Sequence, residues 1–96
     1  MNERDLPLAG ITGGEVTQRG MGPAAGLVLA DMGASVIKVE PLNGDNTRRL
    51  KGSGAGYFSM YNRNKRSICL DLKSDGGKEA ALRLINSADV LIENFR

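Results

Sequence analysis

The chain has 96 residues, of which 41% are hydrophobic and 25% charged, and its formal net charge is +2. This balance is typical of one small folded domain, and the longest apolar runs fall far short of the roughly 18 residues that a membrane-spanning helix requires. Because the sequence contains no histidine and a single cysteine, a His-ligated metal site, a histidine-dependent catalytic dyad and an internal disulfide are excluded within the chain. The cysteine, Cys69, lies in an apolar run, so we expect a buried thiol without chemical function.

The first predicted elements form a strand and a helix. Residues 10–16 are interpreted as a short strand, although Gly13 and Gly14 lie in its middle, where glycine is unfavourable. A helix of about ten residues follows, with Pro23 in its first turn and Gly33 at its end. Its apolar residues recur at the helical spacing of three, four and seven positions: Ala25, Val28, Leu29 and Met32.

The middle of the chain alternates strands with a long loop. Residues 35–40 are rich in β-branched side chains and predict a strand that ends at Pro41, which completes a β-α-β unit. Residues 42–56 combine glycines with polar residues, and we expect this loop to be disordered unless a ligand binds. A short helical turn is predicted over residues 57–62, and a second strand over residues 67–72.

The last third of the sequence predicts a helix followed by a strand. Ser74 or Asp75 can cap a helix that ends near Ser87. Its apolar positions again follow the helical spacing: Ala81, Leu84, Ile85 and Ala88. Residues 90–94 are almost continuously apolar, as in parallel strands that are covered on both faces. Strands that alternate with helices predict an α/β fold with a parallel sheet.

A glycine-rich turn precedes the first helix. Residues 20–25 match the pattern G-x-G-x-x-A of dinucleotide-binding helices, and Glu40 follows where such folds place a ribose-binding carboxylate. This pattern permits NAD binding, although residues 17–19 separate the strand from the glycines. A glycine turn before a helix also offers free backbone N–H groups to any phosphate or carboxylate. A purely structural role, in which the glycines allow a close crossover from strand to helix, stays open.

Basic residues are concentrated in the middle third of the chain, where they could face either water or an anionic ligand. They are Arg48, Arg49, Lys51, Arg63, Lys65 and Arg66. Residues 57–66 combine aromatic with basic residues, a composition that could suit single-stranded nucleic acid. The three aromatics also fall at a helical spacing that packing commonly uses, so this segment is equally consistent with a helix face and solvated or phosphate-binding cations.

Three further groups of charged residues are candidate site residues. Lys38 and Glu40 share one face of a predicted strand, and Asp71 and Lys73 repeat that spacing. Either pair is also consistent with a solvated strand edge. Residues 93–96 follow the last strand at the edge of an α/β sheet where ligands characteristically bind, which makes them the better candidates.

A series of short motifs resembles, in order, the N-terminal part of family III CoA-transferases. The motifs are Gly22-Pro23, residues 29–34 (LADMGA), 36–41 (VIKVEP), Gly44-Asp45, Arg48, Phe58, 62–68 (NRNKRSI), 70–73 (LDLK), Gly77-Lys78 and 88–96 (ADVLIENFR). The resemblance extends from about Leu8 to the last residue. A collinear series of this length is more specific than one glycine pattern, so it favours CoA over NAD.

The resemblance implies a Rossmann-like large domain of which this chain is the N-terminal part, without a second domain. By position, it implies CoA contacts at Gly20, Met21, Leu70, Asp71, Leu72, Lys73, Asn94, Phe95 and Arg96, with Pro41 as a weaker candidate. CoA thioesters would be substrates rather than permanently bound cofactors, and the co-substrate would be a small carboxylic acid. The full-length protein is expected to be a cytoplasmic homodimer without a metal, and neither nucleic acid nor a membrane is an expected partner.

The family's chemistry uses an aspartate that attacks the acyl-CoA thioester. In the family this residue lies beyond the matched segment, so the chain is expected to contain no catalytic residue and to be inactive alone. Racemases of α-methylacyl-CoA share the fold, so a racemase fragment remains an alternative, as does a non-catalytic nucleotide-binding or assembly module. The sequence departs from the family pattern at residues 13–14, 20–21 and 75–76, and the glycines at 13–14 are the most unfavourable departure.

Overall fold

Four strands and three α-helices alternate in the part of the chain that the computed structural model describes, residues 5–16 and 21–94. The strands are β1 (Thr12–Val16), β2 (Ser35–Glu40), β3 (Arg66–Cys69) and β4 (Val90–Glu93). The helices are α1 (Met21–Asp31), α2 (Tyr57–Asn62) and α3 (Asp75–Ser87), with 3₁₀ turns at Asn46–Arg49 and Gly52–Gly54. All strand pairs are parallel, so the predicted α/β fold is confirmed.

The sheet has the strand order β3-β2-β1-β4, which places the first strand of the chain between β2 and β4. The chain moves outward in one direction from β1 to β3 and then returns to add β4 on the other side of β1. The strand order therefore reverses between β1 and β4. In open α/β sheets, ligands characteristically bind beyond the carboxyl ends of the strands at such a point.

The two glycines of β1 are buried between neighbouring elements. A Cβ atom at Gly13 would lie 3.6 Å from Val36 Cγ2, and one at Gly14 would lie 3.8 Å from Ala88 Cβ. Both are ordinary van der Waals distances. At the start of β1 and just before β4, Asp89 N donates to Thr12 O (2.8 Å) and Thr12 N donates to a carboxylate oxygen of Asp89 (2.9 Å). The predicted strand therefore forms despite its glycines, because it is paired on both sides.

Helix α1 contacts the sheet through small residues. Its fully buried positions are Gly22, Pro23, Gly26 and Ala30. Of the apolar residues whose spacing predicted the helix, Ala25, Val28 and Met32 are exposed and only Leu29 is partly buried. The helix is confirmed, but its apolar face does not cover the sheet. The reason is that β1 and β2 direct long charged side chains toward α1, and only glycine, proline and alanine leave room for them.

Helix α3 agrees with its sequence pattern. Ser74 is the N-cap, and its hydroxyl accepts a hydrogen bond from Gly77 N (3.0 Å). Ala81 is buried, and the remaining predicted apolar positions are partly buried. Leu82, which lies outside that pattern, is 58% exposed.

Two predictions for the middle of the chain are wrong. The segment after β2 is ordered at Asp45 and Thr47, because the Asp45 carboxylate accepts hydrogen bonds from Thr47 N (2.8 Å) and Thr47 Oγ1 (2.7 Å), and both residues are buried. Cys69 is exposed rather than buried, because β3 is an edge strand. In the described residues no helix has the length and apolar character needed to cross a membrane.

Candidate functional site at the carboxyl edge of the sheet

The predicted CoA-contact residues follow the carboxyl ends of the strands. Pro41 comes after β2, residues 70–73 come after β3, and Asn94 comes after β4. Met21 opens α1, the element after β1. Because parallel strands all end at one edge, these residues share that edge of the sheet. Gly20, Phe95 and Arg96 lie outside the described residues.

The candidate residues are spread along this edge rather than gathered at one point. Residues 70–73 extend β3 on one side of the sheet, and Asn94 extends β4 on the other. Three strand spacings of about 4.8 Å separate these two strands, which amounts to about 14 Å. Met21 and Asn94 follow β1 and β4, the two strands between which the strand order reverses. The arrangement therefore suits an elongated ligand that crosses the edge.

The segment after β3 is a tight turn, so the prediction of a strand to residue 72 is wrong beyond Cys69. The Asp71 carboxylate accepts a hydrogen bond from Lys73 N (3.0 Å), and the Asp71 carbonyl accepts from Ser74 N (3.1 Å) and Ser74 Oγ (2.9 Å). A side chain that satisfies nearby backbone groups competes with strand pairing. Lys73 is exposed at this turn, and within the described residues its ammonium takes part in no ion pair.

A largely buried charge network lies on the same face of the sheet as α1, and of its six members only Arg48, with 42% of its side chain accessible, is exposed. Its members are Glu15, Lys38, Glu40, Asp45, Arg48 and Lys65. Lys38 Nζ lies 3.1 Å from a Glu15 oxygen and 3.1 Å from Asp45 Oδ2. The three acids and three bases balance, and burial of charges in balanced, closely paired groups limits the cost of removing them from water.

Glu40 is the most fully bonded member of this network. Arg48 donates from Nε to Oε1 and from Nη2 to Oε2, both over 2.7 Å, and Asp45 N donates to Oε1 over 2.7 Å. Ser67 Oγ also donates to Oε2. These hydrogen bonds, led by those from Arg48, hold the pKa of the Glu40 carboxyl at about 2, against the opposing effect of burial.

This bonding corrects two interpretations of Glu40. Lys38 and Glu40 do share one strand face, but each is only 1% exposed, so they do not form a solvated edge. The Glu40 carboxylate is also fully engaged by its neighbours, so it has no position from which to bind a ribose. The NAD interpretation therefore loses its second element.

Lys65 connects three elements beneath α1. Its ammonium lies 2.6 Å from Glu15 Oε1, and it donates to Pro23 O (3.0 Å) and Asn62 Oδ1 (2.9 Å). The side chain is 1% exposed. Burial lowers the pKa of this ammonium, and the hydrogen bond and charge of Glu15 act in the opposite direction.

The basic residues of the middle third do not form one anion-binding patch. Besides Arg48 and Lys65, Arg63 pairs with Asp31 (2.9 Å), Arg49 donates to Asn43 O (2.6 Å), and Arg66 donates to Ser35 Oγ (3.0 Å). The aromatic residues pack within the fold: Tyr57 and Tyr61 have ring centroids 4.7 Å apart, and Phe58 lies beneath the Arg48 guanidinium. The packing interpretation of this segment is therefore favoured over nucleic-acid stacking.

The charge network was not among the features predicted from the sequence. The available signal was the spacing of Glu15, Lys38 and Glu40 at inward positions of predicted strands that have helices on their faces. A charge at such a position needs a buried partner. The partners come from loops, Asp45 and Lys65, whose burial the sequence pattern does not reveal.

Comparisons with known proteins agree with this arrangement. The family model for "CoA-transferase family III" matches residues 8–96. The chain is 45% identical over 107 residues to a succinate–glutarate CoA-transferase of Agrobacterium fabrum, and the match covers 100% of the chain and 27% of that relative. It is 45% identical over 92 residues to a formyl-CoA:oxalate CoA-transferase of Streptomyces coelicolor, covering 92% of the chain and 22% of that relative.

The fold comparison leads to the same group. The crystal structure of a CAIB/BAIF family protein from Brucella suis superposes with a TM-score of 0.86 and 43% sequence identity, covering 94% of this chain and 26% of that protein. The chain thus spans about a quarter of the length of most of the relatives that it matches. Its sequence, strand order and family match together show that it belongs to CoA-transferase family III.

Proposed function

We propose that the chain is the CoA-binding N-terminal part of an acyl-CoA:carboxylate CoA-transferase. The observation that carries this proposal is the alignment of the family-matched segments along one edge of the sheet. Met21, Pro41, residues 70–73 and Asn94 each follow a different strand there. The relatives named above are transferases whose names pair carboxylates such as succinate with glutarate, or oxalate with formyl-CoA.

The chemistry of CoA suits the groups at this edge. CoA carries a diphosphate, a 3′-phosphate and an adenine, which call for backbone donors, cations and apolar surfaces. Lys73 offers an exposed side chain with an ammonium group at the turn that Asp71 forms. Leu72, next to it, is 38% exposed and offers an apolar surface for a base. The proposed contacts also include Leu70 beside this turn.

The remaining proposed contacts follow β1 and β4 along the chain. They are Gly20, Met21, Asn94, Phe95 and Arg96, with Pro41 in a weaker role between the two groups. The length of CoA fits a site that extends over about 14 Å of sheet edge. The CoA thioester binds as a substrate in this proposal, and no permanently bound cofactor is needed.

In the complete reaction an aspartate outside this chain attacks the thioester carbonyl, which releases the CoA thiolate and forms a mixed anhydride. The thiolate then attacks the aspartyl carbonyl of the anhydride, which releases the donor acid and leaves an enzyme thioester. The acceptor carboxylate takes over from there by the same two steps in reverse order. Residues 1–96 supply binding in this scheme, and the chain alone turns over no substrate.

Two other functions are compatible with family membership. A racemase of α-methylacyl-CoA would use the same CoA site with an acid and a base outside this chain. Solvent deuterium uptake at the α-carbon without CoA exchange would identify it in the full-length protein. A non-catalytic nucleotide-binding or assembly module would bind CoA as a well-defined dimer without turnover. For the transferase we propose a cytoplasmic homodimer as the full-length form.

Calorimetric titration of the chain with CoA, beside NAD, tests the proposal. Saturable CoA binding without NAD binding is the expected result. Replacing Lys73 by alanine removes a charge-assisted contact, and affinity should fall about tenfold or more. The matched control is Lys78→Ala, which removes an exposed lysine of α3 and should leave the affinity for CoA unchanged.

Titration with dephospho-CoA identifies which phosphate Lys73 binds. If Lys73 contacts the 3′-phosphate, Lys73→Ala weakens CoA binding but not dephospho-CoA binding. If it contacts the diphosphate, both ligands lose affinity equally. Absence of CoA binding by the folded wild-type chain would contradict the proposal that this part alone binds CoA.

A further inference from the structure

Three consecutive residues between α2 and β3 hold α1 along its length. Arg63 pairs with Asp31, and the Asn64 amide donates to Ala30 O (3.1 Å), both at the carboxyl end of the helix. Lys65 reaches back to Pro23 O at the other end. Asn64 has a φ of 65°, in the left-handed region that asparagine tolerates, and the chain turns sharply there between Arg63 and Lys65.

The path of Lys65 along the helix depends on Gly26. A Cβ atom at this position would lie 3.1 Å from Lys65 Cε and would overlap Glu15 Oε1. The absence of a side chain therefore lets the lysine stem and the Glu15 carboxylate pass beneath the middle of α1. At its end, the ammonium meets oxygens from three elements: Glu15 in β1, Pro23 in α1 and Asn62 in α2. An ammonium has three donors, which matches these three oxygens.

We propose that Lys65 is a positioning residue that fixes the first turn of α1 against β1 so that this turn can receive the CoA ligand. The inference rests on the proposed CoA site, because Met21, one of the proposed contacts, opens this turn, and the turn follows β1, where the strand order reverses. Lys65 itself is buried beneath the helix and touches no ligand. Its bond to Pro23 O ties the position of the turn to the carboxyl end of β1.

Amide hydrogen exchange measured without ligand tests the positioning separately from CoA binding. The amides of residues 25–27 donate to carbonyls of the first turn, whereas those of residues 29–31 donate further along α1. Lys65→Met should accelerate exchange at 25–27 at least tenfold more than at 29–31. Glu15 keeps Lys38 as a partner in this variant, so the fold should persist.

Two further variants make the test specific. Lys65→Arg keeps the positive charge, but a planar guanidinium does not carry three N–H groups on one nitrogen as an ammonium does. We therefore expect the same faster amide exchange at residues 25–27, with a smaller loss of folding stability. Lys38→Met is the matched control, because its ammonium pairs with Glu15 and Asp45. It should lower stability without selective exchange in the first turn of α1.

The CoA titration then completes the test. Lys65→Met should weaken CoA binding about tenfold, whereas Lys38→Met should have less effect. Exchange that is unchanged at 25–27 in both Lys65 variants would overturn the inference, and so would local acceleration with unaltered CoA affinity. Local acceleration in a protein whose wild-type form binds no CoA would contradict the proposed function and still uphold the role of Lys65 in holding the turn.

Discussion

The Arg48 guanidinium and the Glu40 carboxylate meet edge to edge through two parallel hydrogen bonds, each 2.7 Å long. The same guanidinium lies 3.8 Å from the centre of the Phe58 ring. Arg48 therefore joins the end of β2 to α2, and it uses both the planar fork and the flat face of its side chain. A lysine has neither a planar fork for two parallel hydrogen bonds nor a flat face to stack on the ring.

Arg48→Lys should accordingly destabilise the protein by about 1–3 kcal/mol, since the second hydrogen bond to a buried carboxylate and the stacking on Phe58 are lost. Urea unfolding followed by circular dichroism measures the change. The matched control is Arg83→Lys, because Arg83 pairs with Glu79 on the exposed surface of α3. That change should stay within about 0.5 kcal/mol. Equal effects of the two substitutions would contradict the role of Arg48.

Acid should unfold the protein through Glu40. Its carboxyl has a pKa of about 2 in the folded chain and an ordinary value near 4.5 when unfolded. The stability from this ionised group is therefore complete above pH 4.5 and is lost as pH falls toward 2. Glu40→Gln should lower stability at neutral pH and flatten its dependence between pH 4.5 and 2. Glu79→Gln, at an exposed pair, should keep the wild-type acid dependence.

Two adjacent glycines in the first turn of α3 should respond to alanine in opposite ways. A Cβ atom at Gly77 would overlap the carbonyl oxygen of Asp71, whereas one at Gly76 would meet open space. Gly77→Ala should lower the free energy of unfolding by about 1–3 kcal/mol. Gly76→Ala should leave it unchanged or raise it by up to about 1 kcal/mol. Thermal unfolding of the two variants compares them directly. A stabilising Gly77→Ala would show that the turn at Asp71 is not tightly packed.

The thiol of Cys69 should be reactive in the folded chain, because this residue is exposed on the edge strand β3. A chromogenic disulfide reagent should modify one thiol per chain without denaturant, at a rate within about tenfold of that in the unfolded chain. Cys69→Ser gives the blank for this measurement. Protection that disappears only on unfolding would instead support the burial that the sequence led us to expect.

The order of elements was predictable because local patterns determine it. Ser74 is recognisable as a cap from its position before an apolar helical repeat, and the structure confirms it. The extent of β3 was overestimated because the Asp71 side chain, which bonds to Lys73 N, ends the strand in a way that apolar content does not indicate. The face of α1 was harder to infer, since it depends on what β1 and β2 place beneath the helix.

The candidate site was partly accessible from the sequence for a topological reason. Residues that follow parallel strands meet at one edge, so Pro41, Lys73 and Asn94 could be assigned to a common edge without coordinates. The buried charge network was not accessible in this way. The depth of Lys65 depends on the missing side chain at Gly26, which is about 40 positions earlier in the sequence.

The pairing of Thr12 with Asp89 has a consequence for synthesis, because these residues are 77 positions apart. At about 5–20 residues per second, the ribosome needs roughly 4–15 seconds to produce the chain between them. During that interval β1 has been synthesised, but its neighbour β4 has not. One edge of β1 therefore stays unpaired in the nascent chain until β4 emerges. Chaperone binding or a ribosomal pause in that interval would decide how much of the chain folds correctly.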